Sequence, residues 1–463
     1  MNPSPKPPPT TLNRWAMFGL SFAAVASFQL AYSVYSCAFL FVIFFYCLFR
    51  LANVRTSRQA FYIGLTIGLA AYGFQLRFFW TIFQFAAVPL FVVVSFWLGL
   101  FLSLGRLCLK RFGLIAWACA APFLWTALEY FRSELYYLRF SWLNAGYAFS
   151  DSSYLPYVAS YGVYGIGFLL MTVAAFFGVV QHLGRPQRIA AIFVVAALWL
   201  YPLLSPSPRI SPRQTLEVTG VQMEFPIPAE VVMALDRANK RFPQTDLLIL
   251  SEYTFMGPVP EMIKSWCRKH HKYLVVGGED PVSSSQYYNT VFVINPAGEI
   301  VFKQAKCIPV QFFKDGLPAR EQRLWISPWG KLGFGICYDD CYTRVTDELV
   351  RQGAQALIFP TMDITDWGSH QHQLHARMAP MRAAEYAMPV VRLCSSGISQ
   401  YADFTGRVRN SAPFPGQGAI LHAQIQLASH GRMRPDRWLA VLSLAITVAL
   451  SGWLAVESFL LRS

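Results

Sequence analysis

Residues 86–105 read AAVPLFVVVSFWLGLFLSLG, twenty positions without a charged side chain. As a helix rising about 1.5 Å per residue, that stretch is about 30 Å long, the thickness of a bilayer's hydrocarbon. A chain with such a run must hide it in a protein interior or pass it through a membrane. Further apolar runs occupy residues 15–33, 36–51, 60–82, 113–131, 157–180, 188–204 and 437–460, the first two separated only at Tyr35–Ser36. With 54% hydrophobic and 14% charged residues over 463 positions, the composition favours the membrane. A water-soluble composition returns only between 205 and 436. The expected organisation is a transmembrane region over 1–204 with about seven spans, a soluble domain over 205–436, and a last membrane helix over 437–463.

The loop charges predict an orientation. Lys6 and Arg14 precede the first run, and Arg50, Arg55 and Arg58 follow the second. Arg106, Lys110 and Arg111 follow the fourth, Arg185 and Arg188 the sixth, and Arg462 the last. The other short loops carry almost no basic residues, apart from Arg132 and Arg139 in the 132–156 loop. The positive-inside rule then places both termini in the cytoplasm. Seven spans before residue 205 put the soluble domain outside, which in a bacterium is the periplasm. The opening MNPSPKPPPTTLNR is not a typical signal-peptide start. The net charge of +14 is spread along the boundaries of apolar runs, with no basic tract interleaved with aromatics, so nucleic acid is excluded as a partner. Nine cysteines, an odd number at irregular spacing, imply no disulfide framework.

In the soluble stretch, short β-rich runs at 216–222, 246–251, 273–278, 289–295, 331–336, 356–360 and 389–394 alternate with helix-like segments at 229–242, 260–270, 342–353 and 370–387. That order predicts an α/β layered domain with its chemistry at strand ends. Three such places carry reactive groups. DLLILSEYTF ends on Glu252, GEIVFKQAK carries Lys303 and Lys306, and KLGFGIC delivers Cys337 where a strand gives way to a helix. A thiol at such a turn is exposed and its thiolate favoured by the helix N-terminus. A carboxylate can take its proton, and an ammonium can stabilise the oxyanion formed on a carbonyl. A Glu–Lys–Cys set is therefore sufficient for acyl transfer through a thioester.

Other features compete. GICYDDCY places Cys341 four residues after Cys337, which fits half a metal site, a redox pair, or a nucleophile beside a spare thiol. HQHQLH brings His370, His372 and His375 together, and His372 with His375 has helical metal-ligand spacing. Glu129 and Arg132, at the end of the fifth run, are placed to pair at the interface. Tyr136, Tyr137, Phe140, Trp142 and Tyr147 suit an aromatic belt.

Around LLILSEYTF, YYNTVFVINPAGEIVFKQAK and GKLGFGICYDD the sequence resembles the carbon–nitrogen hydrolase (nitrilase) superfamily. The membrane stretches LWTALEYFRSELYYLRFSWLNAGYAF and YVASYGVYGIGF extend the resemblance to the apolipoprotein N-acyltransferase family. That resemblance implies an αββα sandwich beside a polytopic helical region. It implies Glu252 as base, Lys306 as oxyanion-stabilising residue and Cys337 as nucleophile. Counting from Gly298 selects Lys306, with Lys303 the alternative. Tyr338, Asp339 and Trp367 would be supporting or substrate-binding. No metal and no cofactor are implied.

The implied reaction moves an acyl chain from a phospholipid to Cys337, then to the free amine of a diacylglyceryl-cysteine lipoprotein at the bacterial inner membrane. A membrane-anchored amidase, or a divergent non-catalytic paralogue, is the alternative. The sequence departs from the family at three places. Ser251 replaces the usual Pro, IPVQFFKDG lacks the usual assisting glutamate and offers Gln311 or Asp315 instead, and Asp339 replaces a Glu.

Overall fold

The structure, a computed structural model, describes residues 11–205 and 214–460. Lys6, the proline-rich opening and Arg462, which entered the orientation argument, lie outside the described residues. The chain forms two compact units, one of residues 1–148, 163–204 and 435–463, the other of 149–162 and 205–434.

The first unit is helical, and its helices follow the apolar runs. Arg14–Ser33 starts at Asn13, whose side chain accepts the Ala16 N–H at 2.8 Å. Tyr35–Leu40 winds as a 3-10 helix and continues into Phe41–Leu51, so the division read at Tyr35–Ser36 is present. Ser57–Gln75 follows, capped by Thr56. Ala87–Tyr130 is interrupted at Gly113, whose φ of +81° lies outside helical space and which suits glycine for that reason. Leu155–Val179 is broken at Gly162 (φ +69°), so the part in the membrane unit begins at Val163 rather than at 157. A short helix, Phe78–Phe83, precedes Ala87–Tyr130, and Arg185–Leu204 and Asp436–Leu460 are the remaining long helices described.

Among the described residues, five helical stretches are long and apolar enough to cross a membrane, and Tyr35–Leu51 is a shorter apolar helix. Small residues set one close crossing. A Cβ on Gly64 would sit 2.4 Å from the Leu98 carbonyl oxygen, and one on Gly99 2.9 Å from that of Phe61. Gly64 and Gly99 thus let two backbones touch, the usual source of helix affinity where no hydrophobic effect operates. Glu129 and Arg132 both serve the 144–145 turn. Glu129 accepts the Ala145 N–H at 2.9 Å, and Arg132 donates to Asn144 Oδ1 at 2.5 Å.

The second unit contains two six-stranded sheets. One has strands β1 (Thr215–Val221), β2 (Leu247–Ile249), β3 (Tyr273–Pro281), β4 (Tyr287–Ile294), β5 (Ile300–Ala305) and β12 (Ile420–Gln426), in the order β12-β1-β2-β3-β4-β5. The other has β6 (Leu324–Ser327), β7 (Gly330–Phe334), β8 (Ala356–Thr361), β9 (Val390–Cys394), β10 (Ser399–Ala402) and β11 (Val408–Ala412), in the order β11-β10-β9-β8-β7-β6. The centre of each is parallel, β1-β2-β3 and β7-β8-β9, and the flanks are antiparallel.

Alternate residues of both sheets meet in one core. Val218, Ile249, Val275 and Val291 of the first pack with Leu332, Phe334, Ile358 and Leu393 of the second. Helices Pro228–Arg241 and Glu261–His270 bury Val231, Leu235, Ile263 and Trp266 on the outer face of the first sheet. Thr343–Arg351 and Met378–Tyr386 bury Leu349, Ala383 and Tyr386 on the outer face of the second. The result is the four-layer αββα sandwich that the resemblance implied. The helix expected over 370–387 is two, Gly368–His375 and Met378–Tyr386, with Pro380 in the first turn of the second. Proline is tolerated there because no intrahelical bond needs its missing N–H.

Candidate active site

Glu252 lies three residues beyond β2 and is 2% exposed. The adjacent strand comes close because it has glycine there: a Cβ on Gly277 would fall 2.6 Å from both Glu252 Cα and the Ser251 carbonyl oxygen. Ser251 fits the position that the family gives to proline by donating to the Met223 carbonyl at 3.2 Å. Glu252 Oε1 accepts from Lys306 Nζ at 2.8 Å and Asn289 Nδ2 at 2.6 Å, and Oε2 from the Met362 N–H at 2.7 Å.

Lys306 follows β5 directly and is 1% exposed. Its ammonium also reaches Asp315 Oδ2 at 2.7 Å. Burial pulls the lysine pKa down, but Glu252 and Asp315 outweigh it and hold the group well above its ordinary value. It is a fixed cation. Lys303, the alternative, is 47% exposed and pairs with Asp280 at 2.9 Å. The main chain separates the two: Lys303 is within the β5 ladder opposite Phe292, whereas Lys306 has left it, with its N–H on the Asn289 carbonyl.

Of the two candidates left open for the assisting acid, Asp315 is in the cluster. Beyond Lys306 it accepts from Asn289 Nδ2 at 2.8 Å, the Val310 N–H at 2.7 Å and the Tyr253 hydroxyl at 3.2 Å.

Cys337 ends the run after β7 and opens a 3-10 turn, Cys337–Cys341, rather than the α-helix expected there. Its φ is +48°, a left-handed conformation that is costly for a non-glycine residue and recurs at nucleophile turns. The thiol donates to the Met362 carbonyl at 3.7 Å, so Met362 uses its N–H on Glu252 and its C=O on Cys337. Burial, then the Glu252 charge, push the Cys337 pKa well above the ordinary thiol value, against the opposing pull of Lys306. The group is thus a buried thiol, not the exposed and thiolate-favouring one expected at a strand-to-helix turn, and to act as a nucleophile it would need a base.

The supporting residues divide. Asp339 accepts from the N–H groups of Ile336, Cys307 and Ile308 at 3.0, 3.0 and 2.8 Å, tying the segment after Lys306 to the turn of Cys337. Burial raises its pKa to about 6 although these donors pull it down. Tyr338 is buried among neighbours rather than open to a substrate, 7% exposed with Tyr342 edge-on at 5.0 Å. Trp367 is on the Thr365–Trp367 turn with Phe313 6.4 Å away, and Glu224 holds that turn by accepting the Thr365 N–H at 2.8 Å. Exposed Phe225, Met256 and Phe312 lie on the loops that follow β1, Glu252 and Lys306. Cys341 is fully buried and donates to Asp340 Oδ1 at 3.1 Å.

Sequence reading missed Asn289, Tyr253 and the Met362 main chain. Asn289 sits in a strand, where nothing in the sequence marks it out. The histidines read as metal spacing do separate things: His375 is buried between two aspartates, and His372 is buried with its ring 4.1 Å from that of Phe414.

Two family models match the chain. The apolipoprotein N-acyltransferase N-terminal domain covers residues 20–176, and the carbon-nitrogen hydrolase domain covers 232–435. Apolipoprotein N-acyltransferase of Geobacter metallireducens is 23% identical, over 86% of this chain and 88% of its own. That of Haemophilus ducreyi is 23% identical over 71% and 75%, and that of Pasteurella multocida 22% over 82% and 84%. Among solved structures, the carbon-nitrogen hydrolase of Helicobacter pylori G27 aligns with 47% of this chain and 90% of its own at 17% identity, TM-score 0.41. With a helical membrane half matched by one model and a sheet half matched by the other, in that order, the chain belongs to the apolipoprotein N-acyltransferase family.

Proposed function

We propose that this protein transfers a fatty acyl chain from a phospholipid to the N-terminal amine of a diacylglyceryl-cysteine lipoprotein, through a thioester on Cys337. The carrying observation is the buried thiol on a positive-φ turn, within the field of a carboxylate and a fixed ammonium that are 2.8 Å apart. Glu252 accepts the Cys337 proton as sulfur attacks the ester carbonyl. Lys306 stabilises the oxygen that becomes negative, a cation already in place before charge develops. The carbon–oxygen bond then breaks, and the lysophospholipid alkoxide leaves with the proton from Glu252. In the second half the amine nitrogen attacks the thioester, gives up a proton, and expels the Cys337 sulfur, which recovers it as the thiol. Asn289, Asp315 and the Met362 N–H hold Glu252 and Lys306 in register without entering the bond changes.

Both substrates are lipids, which supports a catalytic domain joined to spans. We place the protein in the bacterial inner membrane with its sheet domain on the periplasmic side, on the strength of the loop charges. The test uses detergent-solubilised protein, a phospholipid with a labelled acyl chain and a diacylated lipopeptide. N-acyl peptide should form with wild type and not with Cys337→Ala, and an acyl-enzyme should accumulate when the peptide is withheld. Release of free fatty acid alone would instead identify a membrane-anchored hydrolase. No acyl-enzyme at all would identify a non-catalytic paralogue.

A further inference from the structure

Behind Cys337 lies a cluster of charged side chains that the reaction above does not use. Asp340, in the Cys337 turn, and Asp363, one residue past Met362, are 1% and 0% exposed. Two basic side chains bridge them. His375 puts Nδ1 2.9 Å from Asp363 Oδ1 and Nε2 3.3 Å from Asp340 Oδ1. Arg392, fully buried in β9, pairs with Asp363 and lies 3.3 Å from Asp340 Oδ2. The remaining bonds of Asp363 are filled by Gln371 Nε2 on its side chain, and by Ser395 and Ser396 on its main chain.

Position gives the cluster a use. Asp340 is three residues after the nucleophile, and Asp363 follows the residue whose N–H holds Glu252 and whose C=O holds the thiol. The bridging side chains therefore join the Cys337 turn to the segment of Met362 that the sulfur contacts. We infer that Asp340, Asp363, His375 and Arg392 form a charge-balanced clamp whose imidazolium positions the Cys337 turn against Met362 and offsets negative charge at the nucleophile. This rests on Cys337 being the nucleophile.

Charge counting shows why the histidine matters. Two carboxylates, one guanidinium and one imidazolium sum to zero, and loss of the imidazole proton leaves one uncompensated negative charge. Asp363 and Asp340 already oppose ionisation of Cys337, so an uncompensated charge there disfavours the thiolate further. Burial and Arg392 disfavour the imidazolium, yet the two aspartates prevail and raise the pKa of His375. The other titratable and charged groups around the cluster are His372, 3.8 Å from Asp363, Cys341 on Asp340, Cys394 beside Arg392 in β9, and Arg382 on the Asp340 carbonyl at 2.7 Å. Donor atoms of Asp340, Cys341 and His375 lie within 4.8 Å of one another. A metal there would compete with Arg392, which already supplies a fixed cation to both carboxylates.

The test reads Cys337 without any acyl donor. Full-length protein is alkylated with iodoacetamide across a pH series, and modification of the Cys337 peptide is followed by mass spectrometry. His375→Gln removes the positive charge and keeps a hydrogen-bonding side chain, so it should slow alkylation about tenfold at fixed pH, a one-unit rise in the thiol's midpoint. Asp340→Asn should move the midpoint the other way, and the Asp340→Asn/His375→Gln double variant should return within about twofold of wild type. A loss of packing alone does not produce opposite shifts that cancel. Overlay of the His375→Gln profile on wild type, or a double variant no faster than His375→Gln, would overturn the clamp. Should His375→Gln not fold, Asp340→Asn decides alone: an unchanged or raised midpoint overturns it. Absence of acyl-enzyme from phospholipid in wild type would count against the acyltransferase reading and leave this measurement standing.

Discussion

Lys306 has two carboxylates, and they are not equivalent. Glu252 is the proposed base, whereas Asp315 holds the ammonium and accepts from the Val310 N–H, the Tyr253 hydroxyl and the Asn289 amide that also reaches Glu252. Asp315→Asn should leave a lysine held from one side. The expected loss in kcat is 10- to 100-fold, about 1.4–2.8 kcal/mol of transition-state stabilisation, with KM for phospholipid little changed. Lys303→Ala should stay within twofold of wild type in the same assay, because Lys303 pairs at the surface with Asp280.

Asp339 gives a pH dependence. Its folded pKa of about 6 is above the ordinary 3.8, so protonation begins as pH falls through 6 and weakens its three main-chain bonds. Activity should fall on that acid limb. Stability should not follow through this group: between about 6 and 4 the folded state binds the proton more tightly than the unfolded chain, which favours the fold as pH drops. Parallel profiles of kcat and Tm against pH separate the two effects.

At the scale of elements, the sequence was most readable where a strand is buried on both faces. Val, Ile and Leu runs in β1, β3, β4, β8 and β9 stand within a few residues of the expected bounds. Edge and flanking strands were missed for the opposite reason. β11 reads VRNSA with its first four residues exposed, and β6 is four residues long, so neither carries a core signal. The glutamate and the cysteine were legible because each ends a core strand. Lys306 needed a count from Gly298, since it and Lys303 carry the same local signal. Asp315 was legible only as one of two candidates, beside Gln311, and the His375 clamp was not legible, because its partners come from remote positions that the fold alone brings together.

The turn after β7 carries a prediction of its own. Cys337 and Cys341 bracket one 3-10 turn, but Cys341 points to Asp340. Cys341→Ser, which keeps a donor there, should retain acyl-enzyme formation within about twofold and cost about 1 kcal/mol of stability for a buried polar swap. Cys337→Ser should form none. Acyl-enzyme yield and thermal unfolding of the two variants decide whether the nucleophile is at the start of this turn or at its end.

For the whole molecule, the open quantity is the side of the membrane on which the sheet domain lies, and parity sets it. Leaving aside the six-residue Phe78–Phe83 and the turns of Leu155–Val179 before Gly162, the described helices before residue 205 are Arg14–Ser33, Tyr35–Leu51, Ser57–Gln75, the two parts of Ala87–Tyr130 divided at Gly113, the part of Leu155–Val179 after Gly162, and Arg185–Leu204. If each crosses once, the crossings are odd in number, and the domain emerges opposite the N-terminus. The basic residues agree on which side that is. Arg50, Arg55 and Arg58 precede the third helix, Arg106, Lys110 and Arg111 border Gly113, and Arg185 and Arg188 open the seventh. On that count each cluster falls after an even crossing, so all would lie on one side, which the positive-inside rule would make cytoplasmic. Tyr35–Leu51 is the weak member, short for a full span. If it enters and leaves on the same side, parity reverses, and the basic clusters beyond it face outward. A cysteine at Ser284, exposed in the β3–β4 loop, tests this. In spheroplasts of a bacterial host, a membrane-impermeant maleimide should label Ser284→Cys above the background of the parent's nine cysteines, without lysis. Labelling that requires lysis would put the domain in the cytoplasm. The acyl-transfer reading would then lack access to lipoproteins in the outer leaflet, even with the site's chemistry intact.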